Sequence, residues 1–436
     1  MIENGTFKAR THFGLESLLE AELTKAGATY LFITEGAVRF KAAETELYRF
    51  LMHTYVCTGL ELELSPPIDI HEADVEKLVS LVVWEDVIPL DSVFHVQALQ
   101  LGTTNSALKA LASNLQLSIQ EYYKGKFGQA PRKSDEEFQP EFLVTLQVEQ
   151  NGSCYLALEA GGKPLSDRSK TDTKNGDSIS AALAAGLILQ SGWSVETPFI
   201  DPYAGKGTIL IEAARIAKGR TPAFDNDQLL MKKWRTFRHA LWKKIREEHF
   251  PSIRKDVNWI YGSEATKKVF LGLHESVKNL RLTENINLRV VKPDDIFFPQ
   301  GPGMILTAPP VSTNQTMLVN FVKHAKRYGH SYKLGVFTPL HNLDSMVNMK
   351  PSSVSKITLE DREFSFMMFD IHNPKLRRDD EEKPEALPRP ERPKFKPAER
   401  PERKRHGAGF DRKKPFSGSR DFKGPNKFGN RKKRDD

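Results

Sequence analysis

An α/β fold is what this sequence predicts: an N-terminal module of mixed helices and strands, a doubly wound, Rossmann-like domain behind it, and a basic tail without a core. Three observations predict it. From Asp177 onward, helical and strand patterns alternate as far as a closing hairpin. One of those strands runs through two glycines directly into a helix, at Asp201–Thr208. Beyond Asn373 there are nine prolines and almost no Val, Ile or Leu, so nothing there offsets the entropy of ordering.

The N-terminal elements follow from periodicity. Between Gly14 and Gly27, residues Leu15, Leu18, Leu19 and Leu23 share a helical face, and Gly27 supplies the stop. GAVRFKA then turns Val38 and Phe40 to one side, as a half-buried strand does. The same alternation recurs at Phe94, Val96 and Ala98, and again at Phe142, Val144, Leu146 and Val148. A helix from about Asn105 to Tyr123 is expected between them, and the polar, Gly/Pro-punctuated GKFGQAPRKSDEEFQP reads as loop. These 165 residues amount to one small α/β module or two.

In the second region AALAAGLILQ is an apolar helix ending at Gly192. The strand TPFID (Thr197–Asp201) leads through the glycine turn into a helix over Thr208–Lys218. WIYGS (Trp259–Ser263) is the next strand, followed by a helix with Val269, Leu273, Val277 and Leu280. INLRVV, GMILTA and YKLGVF supply further buried strands, with a helix through Met317, Phe321 and Ala325 between the last two. VSKIT and FSFMMFDI flank Glu360-Asp361-Arg362 as a hairpin. The alternation implies a parallel sheet covered by helices on both faces, closed by an antiparallel edge. Residues 219–257, with Trp234 and Trp242, read as a helical insertion.

Charge is segregated. The chain carries a net +8, yet residues 373–436 hold 22 Lys and Arg against 12 Asp and Glu, leaving 42 basic and 44 acidic residues in the first 372. The tail therefore calls for a polyanion, and Phe395, Phe410, Phe416, Phe422 and Phe428 among its cations suit single-stranded RNA, although a merely solubilising role fits the same composition. Two cysteines, Cys57 and Cys154, exclude a disulfide framework and a Cys-based zinc site; no metal is expected, and a reducing compartment suits the chain. The longest small-or-apolar run, Ala181–Leu189, is too short to cross a bilayer, and MIENGTFKARTH has no apolar signal segment. The expected location is cytoplasmic.

Candidate chemistry gathers at the carboxyl ends of the strands. Gly205 and Gly207 let the backbone bend and approach a ligand, with the free N–H groups of the following helix facing it. The turn is not a P-loop: Gly207 follows Gly205-Lys206 where Ser or Thr belongs, and Ile200 stands where the first glycine would. Glu264, at the end of the next strand, is placed to accept both hydroxyls of a ribose, or is an ordinary surface acid. Asp295 follows the third strand and either bonds an adenine amino group or is a turn acid beside Asp294. The fourth strand ends in Ala308-Pro309-Pro310-Val311, a stiff loop at the sheet's binding edge.

Taken in order, FGLESLLEAEL, GAVRFKA, ELYRFLM, NSALKAL, LAAGLILQSGW, TPFIDPYAGKGTILIEAARIA, YGSE and GPGMILTAPP resemble the THUMP-domain RNA guanine-N2 methyltransferases, and among them the bacterial large-subunit ribosomal RNA type. The likeness runs from about Phe7 to Thr313. It implies a ferredoxin-like region at residues 1–60 and an RNA-gripping THUMP domain at 61–165. A class I methyltransferase domain using S-adenosyl-L-methionine follows at 166–372, then the disordered basic tail at 373–436. By position, Asp201, Tyr203, Gly205, Gly207 and Thr208 would line the methionine end of the cofactor, Glu264 its ribose and Asp295 its adenine.

The same likeness marks departures. The family's catalytic loop reads Asn- or Asp-Pro-Pro followed by Tyr or Phe, so that a side-chain oxygen orients the exocyclic amine and a ring stacks on the flipped base. Here Ala308 and Val311 occupy those positions and do neither. Lys206 replaces a usual Ser, and Asp177, Ser178, Ile179, Ser180 and Ala181 stand where an Ala-Pro-(Ile/Leu)-Lys-Glu-like stretch belongs. The second, C-terminal methyltransferase domain of some members is not in the sequence. The expected function is methyl transfer from S-adenosylmethionine to a base of ribosomal RNA, guanine N2 above all. The alternative is a catalytically inactive RNA-binding relative acting in ribosome assembly. A nucleotide-dependent dehydrogenase fits the glycine turn but not the Ala-Pro-Pro loop.

Overall fold

The computed structural model describes residues 5–69, 74–100, 104–134, 140–162, 165, 179–225, 228–254, 256–359 and 362–372. The expected tail, the hairpin tip Glu360-Asp361, and Asp177-Ser178 lie outside the described residues.

The first 160 residues build one continuous mixed sheet. Its strands are β1 (Thr6–Arg10), β2 (Thr29–Thr34), β3 (Ala37–Lys41), β4 (Gly59–Glu63), β5 (Ile68–Asp69), β6 (Val93–Gln100), β7 (Arg132–Lys133), β8 (Phe142–Val148) and β9 (Ser153–Glu159). They pair in the order β2-β3-β1-β4-β9-β8-β6-β7, with β5 on β9. Alternation decides the faces. Phe7 and Ala9 of β1 and Val38 and Phe40 of β3 point to the helices 16–26 and 44–53, while Lys8, Arg10 and Arg39 point away. The stretch expected as loop after Tyr123 instead continues the helix to Phe127, capped by Gly128 at φ 73°, and then forms β7. The run Gly125-Lys126-Phe127 permits helix, and only the left-handed Gly128 ends it. Strand β4 spans residue 60 and pairs with both β1 and β9, so the sheet runs unbroken across the expected boundary there.

The second sheet has the order β12-β11-β10-β13-β14-β16-β15. Here β10 is Phe199–Asp201, β11 Ile260–Glu264, β12 Ile286–Val290, β13 Gly303–Thr307, β14 Tyr332–Thr338, β15 Ser353–Leu359 and β16 Arg362–Asp370. The first five are parallel and the last two form the antiparallel edge, as the alternation predicts. The helix 208–218 has the expected bounds. The helices expected through Val269 and Met317 are present, at 267–279 and 315–328, with those two residues at the ends of their stripes 42% and 52% exposed.

The regions are joined by packing that single-segment periodicity does not reveal. Leu15 leaves the helical face it shares with Leu19 and Leu23 and enters the core of the second region. It lies against Gly186 so closely that a Cβ there would come within 2.4 Å of Leu15 Cδ1. The apolar stretch 181–188 of the helix 181–190 is therefore buried on every side. Ser180 caps that helix, accepting the Leu183 N–H at 3.1 Å, and meets His12 Nε2 at 2.5 Å. The insertion does the reverse. Trp234, Phe237, Trp242 and Ile245 join the N-terminal core, with Phe237 and Trp242 ring to ring with Tyr48. Among the described residues no helix is long and apolar enough to cross a membrane.

Candidate active site

Three adjacent parallel strands, β11, β10 and β13, end side by side, and their last residues are Glu264, Asp201 and Thr307. An open α/β sheet binds its ligands at this edge, because every following turn converges there. The turn after β10 is held by its own backbone. Gly205 and Gly207 adopt φ of +52° and +86°, and the Gly207 N–H bonds the Ala204 carbonyl at 2.7 Å. At Gly207 a side chain would be strained by that φ and would meet Leu273 Cδ1 at 2.6 Å. Gly207 caps the helix 208–218 with no side chain to accept its first N–H groups, so those donors face the turn.

Glu264 reaches across this turn. Its Oε1 accepts the Gly205 N–H at 2.5 Å. Burial pushes its carboxyl above the usual carboxylate range, and the backbone hydrogen bonds from Gly205 and Ala265 oppose that. Thr208 is buried and its hydroxyl has no hydrogen-bond partner, a vacancy for a polar ligand atom at the helix start.

Asp201 is 1% exposed. Its Oδ1 accepts the Thr307 hydroxyl at 2.8 Å and the Tyr203 N–H at 3.1 Å. Burial pushes its carboxyl up to about 7; the two hydrogen bonds pull the other way and the charge of Glu264 adds to the rise. The unfolded chain releases this proton near pH 4, the folded chain near 7. Between those values the folded state holds more protons, so stability falls as pH rises, by roughly 4 kcal/mol in full above pH 7. Asp201→Asn should therefore melt higher than wild type at pH 8 and lose that advantage toward pH 4. Parallel melting curves across the range would contradict this origin of the shift.

Thr307 was not among the expected site residues. Its signal was its place as the last strand residue before Ala308, and its hydroxyl ties the glycine turn to the Ala308-Pro309-Pro310-Val311 loop. In that loop Ala308 is half-buried against the second core, Pro309 is buried and Val311 is 42% exposed. The Pro310 carbonyl accepts the Thr313 N–H at 2.8 Å.

The other expected residues are placed less centrally. Tyr203 turns from the bend toward the helix 315–328, edge-on to Phe321 at 5.6 Å, its hydroxyl 3.4 Å from the Met317 carbonyl. Burial raises its phenol, and Asp294 adds to that. Asp295 stands exposed on a short 3-10 turn, Pro293–Asp295, after β12. Lys206 is half-buried within the glycine turn. No group of three His, Cys, Asp or Glu among the described residues is placed to hold a metal ion.

Comparison with known proteins matches the RMKL-like methyltransferase domain over residues 168–337 and the RlmL ferredoxin-like domain over residues 6–55. The ribosomal RNA large subunit methyltransferase K/L of Buchnera aphidicola subsp. Acyrthosiphon pisum is 26% identical over 347 residues, 76% of this chain and 49% of that protein. Its counterpart from Buchnera aphidicola subsp. Schizaphis graminum is 27% identical over 362 residues, 78% of this chain and 51% of that protein. The chain thus spans about half the length of these curated relatives. Among solved structures, a possible methylase from Clostridium difficile 630 superposes with a TM-score of 0.70 at 21% identity, covering 85% of this chain and 99% of that one. SMU.472, assigned as a methyltransferase and crystallised with SAH, gives 0.72 at 17% identity, covering 86% and 100%. TrmN from Thermus thermophilus gives 0.61 at 16%, covering 84% and 99%. These structures share the fold along most of the chain, and the matched families agree with the resemblance carried by the motifs. Residues 168–337 thus match the model of the RMKL-like methyltransferase domain, and residues 6–55 in front of them match that of the RlmL ferredoxin-like domain.

Proposed function

We propose that the chain transfers a methyl group from S-adenosyl-L-methionine to a base of large-subunit ribosomal RNA, with guanine N2 the expected acceptor. The observation that carries this reading is the clasp at the strand ends: Glu264 bonded to the Gly205 N–H, beside an uncapped helix start and the unpartnered Thr208 hydroxyl. The names of the Buchnera relatives supply the substrate class, and SAH in a protein of the same fold supports the cofactor.

The residues present fit that cofactor. Glu264 would hold the ribose hydroxyls, Asp201, Gly205, Gly207 and Thr208 the methionine end, and Asp295 the adenine, with Tyr203 bracing the turn from behind. When bound, the cofactor supplies an electrophilic methyl group on sulfonium sulfur. The buried Asp201 and the half-buried Glu264 are the carboxyls here that counter its positive charge, while Lys206 opposes it. Thr307 holds the acceptor loop at a fixed distance from the turn. Within that loop the Pro310 carbonyl is taken by Thr313. The Pro309 carbonyl is the backbone acceptor left to orient an incoming amine, by alignment more than by proton transfer.

Ala308 and Val311 favour a second reading, a lapsed enzyme that binds RNA in ribosome assembly. In either reading RNA is the partner, held by residues 61–165 as a THUMP domain and by the basic tail, and the cytoplasm is the compartment. Incubating the full chain with labelled S-adenosylmethionine and total RNA from a strain lacking it should label large-subunit ribosomal RNA. Glu264→Ala should abolish the label. Wild-type protein that leaves the RNA unlabelled while still binding it would establish the second reading.

A further inference from the structure

The fifteen residues from Lys232 to Arg246 contain seven lysines and arginines and no carboxylate, inside a folded region whose overall charge is slightly negative. The fold sorts this run by chemistry. Trp234, Phe237 and Trp242 are turned inward against the N-terminal core, and the Arg238 N–H bonds the Tyr48 hydroxyl at 3.0 Å, with its guanidinium on Glu44. Three of the four lysines remain outside: the side chains of Lys233, Lys243 and Lys244 are 59%, 77% and 72% exposed. Among the described residues, two of their three carboxylate partners are loosely held. Lys243 and Lys244 lie 3.8 and 3.9 Å from Glu247 and Glu248, one turn on, and such exposed pairs contribute little. Lys233 lies 3.1 Å from Glu141.

The insertion meets the N-terminal module near Glu141. The Glu141 N–H bonds the carbonyl of Val93, and Val93 is the register partner of Arg132 on the exposed strand β7. Arg235 lies close enough to Tyr123, near the end of the helix 106–127, for its charge to be felt there. Lys233, Arg235, Lys243 and Lys244, exposed on the insertion, are the cations of this ridge. The Lys233–Glu141 pair sets it against the N-terminal module.

We propose that this ridge is the surface on which the folded part of the chain seats the phosphate backbone of its RNA. The inference rests on the RNA reading above and assigns it a place. Since each Trp and Phe of the run is turned into the core, the outer face presents charge without an apolar centre. A polyanion is held that way, whereas a protein interface or membrane surface needs exposed apolar groups. The aromatic anchors also make the ridge rigid, so RNA lying on it is oriented relative to both regions at once.

The test uses the full chain and a fluorescein-labelled RNA stem-loop with single-stranded arms, titrated over a range of salt. A variant carrying Lys233→Gln, Arg235→Gln, Lys243→Gln and Lys244→Gln should bind at least tenfold more weakly at ~0.1 M salt. The slope of log affinity on log salt should flatten by about 3. S-adenosylmethionine binding and melting temperature should stay unchanged, because the anchors and the glycine turn are untouched. Lys233→Arg with Lys243→Arg and Lys244→Arg should bind as wild type. RNA containing 4-thiouridine should crosslink within residues 232–246. If wild type binds the RNA and the glutamine variant matches it in affinity and slope, the ridge is overturned while the RNA reading stands. If wild type binds no RNA, both fall. A preference for polyglutamate over RNA would name an acidic protein as occupant and overturn the proposal.

Discussion

Glu264→Ala should weaken S-adenosylmethionine binding by about two to four orders of magnitude while changing the melting temperature little. The carboxylate sits at the end of β11 and already accepts the Gly205 N–H at 2.5 Å, so it stands at the mouth of the bend and not in the core. Two charge-assisted hydrogen bonds to a ribose are each worth about 1.5–3 kcal/mol, and tenfold in affinity corresponds to about 1.4 kcal/mol. Glu264→Gln keeps the shape and one acceptor, and should fall between alanine and wild type. Calorimetry reads all three. A dissociation constant for Glu264→Ala close to wild type would show that the ribose lies elsewhere.

The second large effect is a gain. Ala308→Asn combined with Val311→Tyr should raise methyl transfer to ribosomal RNA by two to four orders of magnitude over wild type. The asparagine oxygen would orient the acceptor amine, and the tyrosine ring would stack on the base. Each is worth roughly 1–3 kcal/mol, and about 1.4 kcal/mol is tenfold in rate. The fold has room for both changes, since Ala308 is half-buried at the margin of its core and Val311 is 42% exposed. Pro309 and Pro310 keep the loop stiff in either version. Single-turnover labelling compares wild type, the two single variants and the pair. Equal rates across the four would mean that the acceptor base does not enter at this loop.

What the sequence made legible was what its local spacing encodes. The bend at Gly205 and Gly207, the helix bounded by Thr208 and Lys218, and the acid closing β11 each follow from neighbours within a few residues, and all three meet at one sheet edge. Contacts made across long separations stayed hidden. Leu15 reads as one more leucine on an N-terminal stripe until Gly186, far along the chain, is found beneath it. Trp234 and Trp242 read simply as part of a helical insertion, whereas both join the N-terminal core, Trp242 edge-on to Tyr48. The pairing of β4 with β9, which fuses the first 160 residues into one sheet, joins segments nearly a hundred residues apart. Thr307 stayed unnoticed because a threonine ending a strand is commonplace, and only the packing of β10 beside β13 brings its hydroxyl to Asp201. Tyr203 has motif spacing that suits a cofactor, yet its ring is drawn to Phe321 by the apolar surface there.

We propose that the bend after β10, the acid ending β11 and the unpartnered Thr208 hydroxyl form a pocket for S-adenosylmethionine. Isothermal titration of that compound into the full chain at pH 8, where Asp201 is ionised, tests it most directly. Saturable one-to-one binding is expected, weakening as pH falls below about 7, where Asp201 takes up its proton, and largely removed by Glu264→Ala. Titration at pH 8 that yields no saturable binding, or binding indifferent to Glu264, would contradict it.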